Sequence, residues 1–239
     1  MSTHPFTPFR IIMRMITPMV FSDFAPTLDG VLFEALSKRY PEQSDEQLRN
    51  TMLNHLAYHQ DWGVYHASSA AIGIDDDNGL VASSYTRNDS LLNKLSTDLF
   101  SPNKRGGKYS KVNLSGGPTK QRLVSRPAYA VPYVAFDGFG DPWSIKTLLE
   151  TYVLGIGYDA QNVQCGAFSG CEIIALTEDL SLMSAAKANR PLPTNSGALG
   201  EPAQVRLIPP YYYGAVVSGV TPPRVRAYHI HVLLQGAPL

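Results

Sequence analysis

Apolar positions along the chain follow two different periods. Residues 9–20 (FRIIMRMITPMV) are rich in β-formers and bounded by prolines, which predicts a strand. Leu28, Val31, Leu32, Ala35 and Leu36 then fall at i, i+3, i+4, i+7 and i+8, one apolar face of a helix. Pro41 stops that helix. Ser44 and Gln47 have capping-box spacing, and Leu48, Met52, Leu53 and Leu56 carry a second helix. Residues 62–74 (WGVYHASSAAIGI) predict a strand that turns at Asn78-Gly79, with 80–87 as its hairpin partner. Leu91, Leu92, Leu95 and Leu99 mark a short helix, and 128–136 (AYAVPYVAF) another strand.

Asp141-Pro142 is a helix start, because Asp accepts from N-terminal amides and Pro suits the first helical position. Ile145, Leu148, Leu149, Tyr152 and Val153 follow, and the helix breaks at Gly155. A glycine-rich connector over 154–170 leads to a strand at 171–177. From residue 180 the abundance of Pro, Gly and Tyr predicts irregular structure, then a strand at 226–234 in which Tyr228, Ile230 and Val232 alternate with His229 and His231. Strand, helix, hairpin pair, helix, strand is an α+β order. It resembles the ferredoxin-like split βαβ, which also underlies the RNA recognition motif.

Charge changes the picture. The 239 residues hold 20 basic and 20 acidic side chains, yet residues 85–126 carry nine basic residues (Arg87, Lys94, Lys104, Arg105, Lys108, Lys111, Lys120, Arg122, Arg126) against Asp89 and Asp98. That segment is +7 and the remainder −7. A cationic arm containing Gly106-Gly107 and Gly116-Gly117 fits a polyanion, and a lysine-rich solvated loop is the competing reading. Lys120, Arg122 and Arg126 keep a spacing that lets one face of an extended arm track phosphates. Two cysteines, Cys165 and Cys171, are too few for a disulfide scaffold and fit no common zinc spacing. No apolar run approaches the ~18–20 residues of a membrane span, and the first residues lack the pattern of a signal peptide. The expectation is a soluble cytoplasmic protein without membrane association.

Other candidate chemistry is sparse. Gly155, Gly157, Gly166 and Gly170 lie between a helix and a strand, the reverse of the dinucleotide fingerprint, so they form either a phosphate-approach loop or a plain connector. Asp75-Asp76-Asp77 reads as a turn rather than a cation loop. His55 and His59 stand i, i+4 on the predicted second helix, without a third ligand. His66, next to Ser68 and Ser69, has the chemistry of a general acid or base, and a satisfied strand histidine is the simpler reading. Tyr211-Tyr212-Tyr213 after Pro209-Pro210 suits either base stacking or packing at a domain edge.

Taken in order, seven segments resemble the Cas-five-type subunit of type IV CRISPR-associated complexes, a member of the repeat-associated mysterious protein superfamily. They are residues 25–36 (APTLDGVLFEAL), 65–70 (YHASSA), 84–87 (SYTR), 115–122 (SGGPTKQR), the glycine-rich connector, 190–193 (RPLP) and 208–214 (IPPYYYG). With the strand before them, the similarity spans about residues 9–214. It implies one domain over 1–239: a ferredoxin-like, RRM-like core (9–100 and 127–179), an inserted basic β-hairpin thumb (101–126) and an irregular C-terminal extension (180–239). It implies a non-catalytic subunit without cofactor or metal, which holds the 5′ handle of CRISPR RNA in a surveillance complex. The implied neighbours are the Cas-seven-type backbone subunit, the Cas-eight-like large subunit and target double-stranded DNA near the protospacer-adjacent motif, with guide pairing reading the sequence.

The RNA-binding residues implied are Arg87, Lys104, Arg105, Lys108, Lys111, Lys120, Arg122 and Arg126 of the arm. Gly155, Gly157, Tyr158, Gly166, Phe168 and Gly170 of the connector join them. The alternative is a metal-independent endoribonuclease that processes precursor RNA with His66, Tyr85 or Lys120. One departure stands out: the family's connector carries Lys or Arg, whereas residues 158–164 (YDAQNVQ) carry neither. Cationic contacts then fall to the thumb.

Overall fold

The computed structural model describes residues 5–21, 24–75, 80–89, 122–158, 160 and 165–236. In chain order the first half forms β1 (Thr7–Met15), β2 (Met19–Val20), α1 (Leu28–Arg39), α2 (Asp45–Met52), β3 (Tyr58–His59), β4 (Val64–Tyr65), β5 (Ala71–Ile74) and β6 (Val81–Asp89). Then come β7 (Arg122–Ala130), β8 (Tyr133–Gly140), α3 (Pro142–Tyr152) and β9 (Phe168–Ala175). The tail adds β10 (Met183–Ser184), β11 (Lys187–Ala188), β12 (Leu192–Pro193), β13 (Glu201–Val205), β14 (Val217–Thr221), β15 (Arg226–His229) and a short α4 (Ile230–Leu234). The fold is α+β with several sheets. Two compact units divide it: Met1–Ser83 with Ala128–Leu239, and Ser84–Pro127.

The main sheet has the order β15-β5-β8-β1-β9. β1 runs antiparallel to both β8 and β9, β5 is antiparallel to β8, and β15 adds in parallel to β5. Alternation in β1 sends Phe9, Ile11 and Met13 to one face. There they meet Leu28, Leu32 and Leu36 of α1, and Leu148 and Leu149 of α3. On the opposite face Ile12, Ala71 and Ala135 pack with Leu233 of α4. Between them lies a cross-strand pair with no solvent exposure. Arg10 Nε donates to Asp137 Oδ1 at 2.6 Å and Nη2 to Oδ2 at 3.1 Å, while Nη1 reaches the Leu233 carbonyl at 3.2 Å. The centre of this face is therefore filled.

Helix starts form as the local sequence demands. Ser44 Oγ accepts from the Gln47 amide and the Gln47 side chain accepts from the Ser44 amide, a complete capping box. Asp141 Oδ1 accepts from the amides of Trp143 and Ser144, with Pro142 at the first helical position.

Strand partners differ from expectation. The strand predicted over 9–20 stops at Met15 and resumes as β2 in another sheet, where Met19 pairs with Tyr129. Ahead of Pro18, which has no amide to donate, the amides of Met15 and Ile16 turn to the carbonyls of Pro132 and Ala167. The strand predicted over 62–74 breaks into β4, a run of bends and β5, because the amides of 66, 68 and 69 bond to scattered carbonyls instead of one ladder. The predicted partner, residues 80–87, becomes β6, whose neighbour is β7 while β5 lies between β15 and β8. The Asn78-Gly79 turn and the helix at 91–99 fall outside the described residues. The strand predicted over 128–136 is two strands parted at Val131-Pro132. The second helix ends at Met52, so His55 and His59 share no helical face. Residues 226–234 begin as a strand and finish as α4. The tail is ordered: β12, β14 and β13 form a sheet of their own, and β10 pairs with β11.

Candidate nucleic-acid interface

Three distant residues position the tail against α1. Arg190 and Asp29 are both fully buried and pair at 3.2 Å. The Tyr211 hydroxyl donates to Asp29 Oδ2 at 2.6 Å and accepts from Arg190 Nη2 at 2.9 Å. The other Arg190 hydrogens go to the carbonyls of Tyr65, Ala67, Pro191 and Leu207. Burial opposes the Arg190 charge, but Asp29 and Tyr211 outweigh it and raise its pKa. Burial above all pushes the Tyr211 phenol up, so it stays a donor.

A second guanidinium repeats the device. Arg226 donates to the carbonyls of Ser69 and Asn189 and to the Asn189 side chain. The segment 65–70 is thus a hub whose carbonyls receive the tail's arginines. Ser68 and Ser69 are buried in it, and Ser68 Oγ accepts from the Asp137 amide at 2.8 Å.

This lock shapes a cleft of about 540 Å³ between the start of α1, the connector and the tail. Gly155, Gly157 and Tyr158 line it, three of the six connector residues singled out from the sequence. The loop is bent by backbone contacts with the protein itself. Gly157 has φ +99° and faces the Val20 carbonyl, and Gly166 has φ +68° with a Cβ position that would collide with the Ile156 carbonyl. The amides of Ile156, Tyr158 and Gly166 bond to the carbonyls of Gly166, Val20 and Pro18. Gly166 consequently sits behind the cleft wall. Phe168 packs partly buried against the core, and Gly170 lies beside Glu150, whose Oε1 accepts from the Cys171 amide. Neither lines the cleft.

Phe24, Gln204 and Arg206, which the sequence did not mark, also line the cleft, as does Tyr212 of the tyrosine run read as stacking or packing. Arg206 makes no hydrogen bond or ion pair with the described residues, and its Nε is buried without a partner among them. Glu34, also on the wall, is held by Lys38 at 2.7 Å. A cation before a proline–tyrosine run (RLIPPYYY) was the only available signal. Arg206 also lines a second cleft of about 360 Å³, with Arg49, Pro210 and Tyr213.

Of the arm, Lys104, Arg105, Lys108, Lys111 and Lys120 lie outside the described residues. Arg87 falls on β6, and Arg122 and Arg126 on β7, with Arg126 half-buried. Ser84 and Ser125 meet at 2.9 Å within the second unit.

The histidines disperse. His55 Nδ1 lies 2.8 Å from Ser144 Oγ, and burial lowers its pKa. His59 stacks on Trp62 with ring centroids 4.0 Å apart. His66 Nδ1 contacts Asp179 Oδ2 at 2.6 Å. Burial alone would raise Asp179, but hydrogen bonds from His66 and Ser181 hold it below the usual carboxylate range. Among the described residues no group of His, Cys, Asp and Glu is placed to hold a metal ion. Both cysteines are buried and outside any disulfide, and burial pushes the Cys171 thiol up to about 12. No helix among the described residues is long and apolar enough to cross a membrane. Compared by sequence, the chain matches no protein-family model and no curated protein, so any functional reading stands on its residues and their geometry.

Proposed function

We propose that this chain is a non-catalytic RNA-binding subunit of a type IV CRISPR surveillance complex that holds the 5′ handle of CRISPR RNA. The observation that carries the proposal is the cleft lined by Gly155, Gly157 and Tyr158 together with exposed Tyr212 and Arg206, whose Nε has no partner among the described residues. Single-stranded RNA is gripped by a cation on the phosphate and aromatic faces on the bases. Further support comes from strand order. Taken as four strands with α1 and α3 as crossovers, β9-β1-β8-β5 has a 4-1-3-2 order, which supports reading the unit as a ferredoxin-like, RRM-like core. The buried Arg10–Asp137 pair and α4 occupy the middle of the sheet face that an RNA recognition motif offers to RNA. RNA is therefore assigned to the cleft and to the +7 arm.

In this role the subunit works by position in a cytoplasmic ribonucleoprotein. Arm cations hold handle phosphates, the cleft holds splayed nucleotides, and flanking surfaces meet the Cas-seven-type and Cas-eight-like subunits near the adjacent motif of target DNA. The deciding measurement is binding of repeat-derived RNA, random RNA and duplex DNA across a salt titration. Lys120→Ala with Arg122→Ala is expected to weaken RNA binding and to flatten the salt slope by about 0.7 for each phosphate no longer neutralised. An unchanged affinity and slope would count against the role.

One observation favours a second reading. The His66–Asp179 contact supplies the oriented histidine that a metal-independent endoribonuclease needs. Its companion Lys120 lies outside the described residues, and Tyr85 belongs to the other unit. Cleavage of repeat RNA in EDTA by the purified chain, abolished by His66→Ala, would replace the first reading with this one.

A further inference from the structure

The tyrosine run divides its labour. Tyr211 is half-buried and anchored on Asp29 and Arg190, whereas Tyr212 is 78% and Tyr213 50% exposed. The two exposed rings open into different clefts, Tyr212 into the larger and Tyr213 into the smaller. Arg206 lines both. The rings meet edge to face, with centroids 4.9 Å apart and planes at 66°, so the edge of one lies against the other and their planes point in different directions. The Tyr211 anchor fixes the adjoining backbone before any ligand arrives, which lowers the ordering cost of binding. What remains is a cation that lines both clefts, its Nε–H without a partner among the described residues, with Tyr212 on the wall of one cleft and Tyr213 on that of the other.

We propose that Arg206, Tyr212 and Tyr213 form a two-base step for single-stranded RNA. One base lies against Tyr212 in the larger cleft and the next against Tyr213 in the smaller. The phosphate that joins them is bound by Arg206. A guanidinium matches a phosphodiester through paired N–H donors, and every base offers a π-face, so the step grips the strand without reading its sequence. The inference rests on the RNA-binding role and locates part of it on three residues of the tail, apart from the arm.

The test uses the full chain and a labelled single-stranded rU10 in a salt titration. Tyr212→Ala and Tyr213→Ala are each expected to weaken binding by about 5- to 150-fold, the cost of losing one stacked base. Tyr212→Phe and Tyr213→Phe, which keep the rings, retain affinity. Arg206→Ala lowers the slope of log K against log salt by about 0.7, one phosphate. Thermal melting checks each variant, and Tyr→Leu at either position replaces an alanine variant that does not fold. If the wild type binds rU10 and all three variants bind with its affinity and slope, the step is wrong and the RNA-binding role stands. If the wild type binds no RNA, the role fails, and the dinucleotide UpU then tests the step by saturation-transfer NMR. Transfer to both bases that disappears in Tyr212→Ala with Tyr213→Ala supports the step, and its absence in the wild type overturns it.

Discussion

The main sheet with its two helices and the tail beyond residue 180 are held by different forces. In the sheet, β1 places Phe9, Ile11 and Met13 against α1 and α3 in a continuous apolar core. The tail's Leu182, Ala188 and Leu192 join Val64 of β4 in a smaller apolar cluster. Besides the β15–β5 ladder and Leu233 against Ile12, it is attached to the rest of the unit by buried guanidiniums, Arg190 to Asp29 and the carbonyls of Tyr65 and Ala67, and Arg226 to the Ser69 carbonyl. Apolar burial tolerates modest change because it is non-directional. A buried ion pair with satisfied donors does not, since deleting one partner strands the other charge.

The contrast is sharpest at its centre. Arg190→Ala is expected to cost about 3–5 kcal/mol by leaving Asp29 buried and uncompensated. That equals or exceeds the ~2–5 kcal/mol expected for Ile11→Ala in the sheet core. Chemical denaturation of both variants makes the comparison, and a loss under about 1 kcal/mol for Arg190→Ala would place the tail's hold elsewhere. Next in size, Asp141→Ala removes the cap of α3, at about 0.5–2 kcal/mol, without touching the tail. In that variant RNA affinity should hold while the melting temperature falls.

The smallest effect is read as a slope. Burial lowers the His55 pKa below its ordinary 6.5, so the unfolded chain binds more protons between the folded value and 6.5. Stability therefore rises with pH through that window and is lost progressively as pH falls from 6.5 through the folded value. His55→Asn should flatten this part of the pH–stability curve, and an unchanged curve would remove His55 as the cause.

Local physics made several elements readable in advance. The capping box at Ser44, the Asp141-Pro142 start and the i, i+3, i+4 stripe of α1 depend on neighbours a few residues away. Strand partners were not readable, since β5 and β6 each satisfy an alternating pattern with any edge of suitable length. The candidate site was half legible. Glycines in the connector drew attention as phosphate-approach residues, and Gly155, Gly157 and the adjoining Tyr158 do line the cleft. Yet Gly157 and Gly166 are required by contacts with Val20 and Ile156. Arg206 went unseen because a single arginine carries no periodic signal.

From the order of residues alone came the charge division between the basic arm and an acidic remainder, the helix starts, and a β-rich strand ahead of the first helix. These follow from composition and near-neighbour sterics. The meeting of Asp29, Arg190 and Tyr211, the hub at 65–70, and the two clefts that share Arg206 were decided by tertiary structure. Their members are far apart along the chain, Asp29 and Tyr211 being 182 residues apart. Only the closing of the tail over α1 surrounds the Arg190 guanidinium with oxygen acceptors and leaves that of Arg206 with none among the described residues.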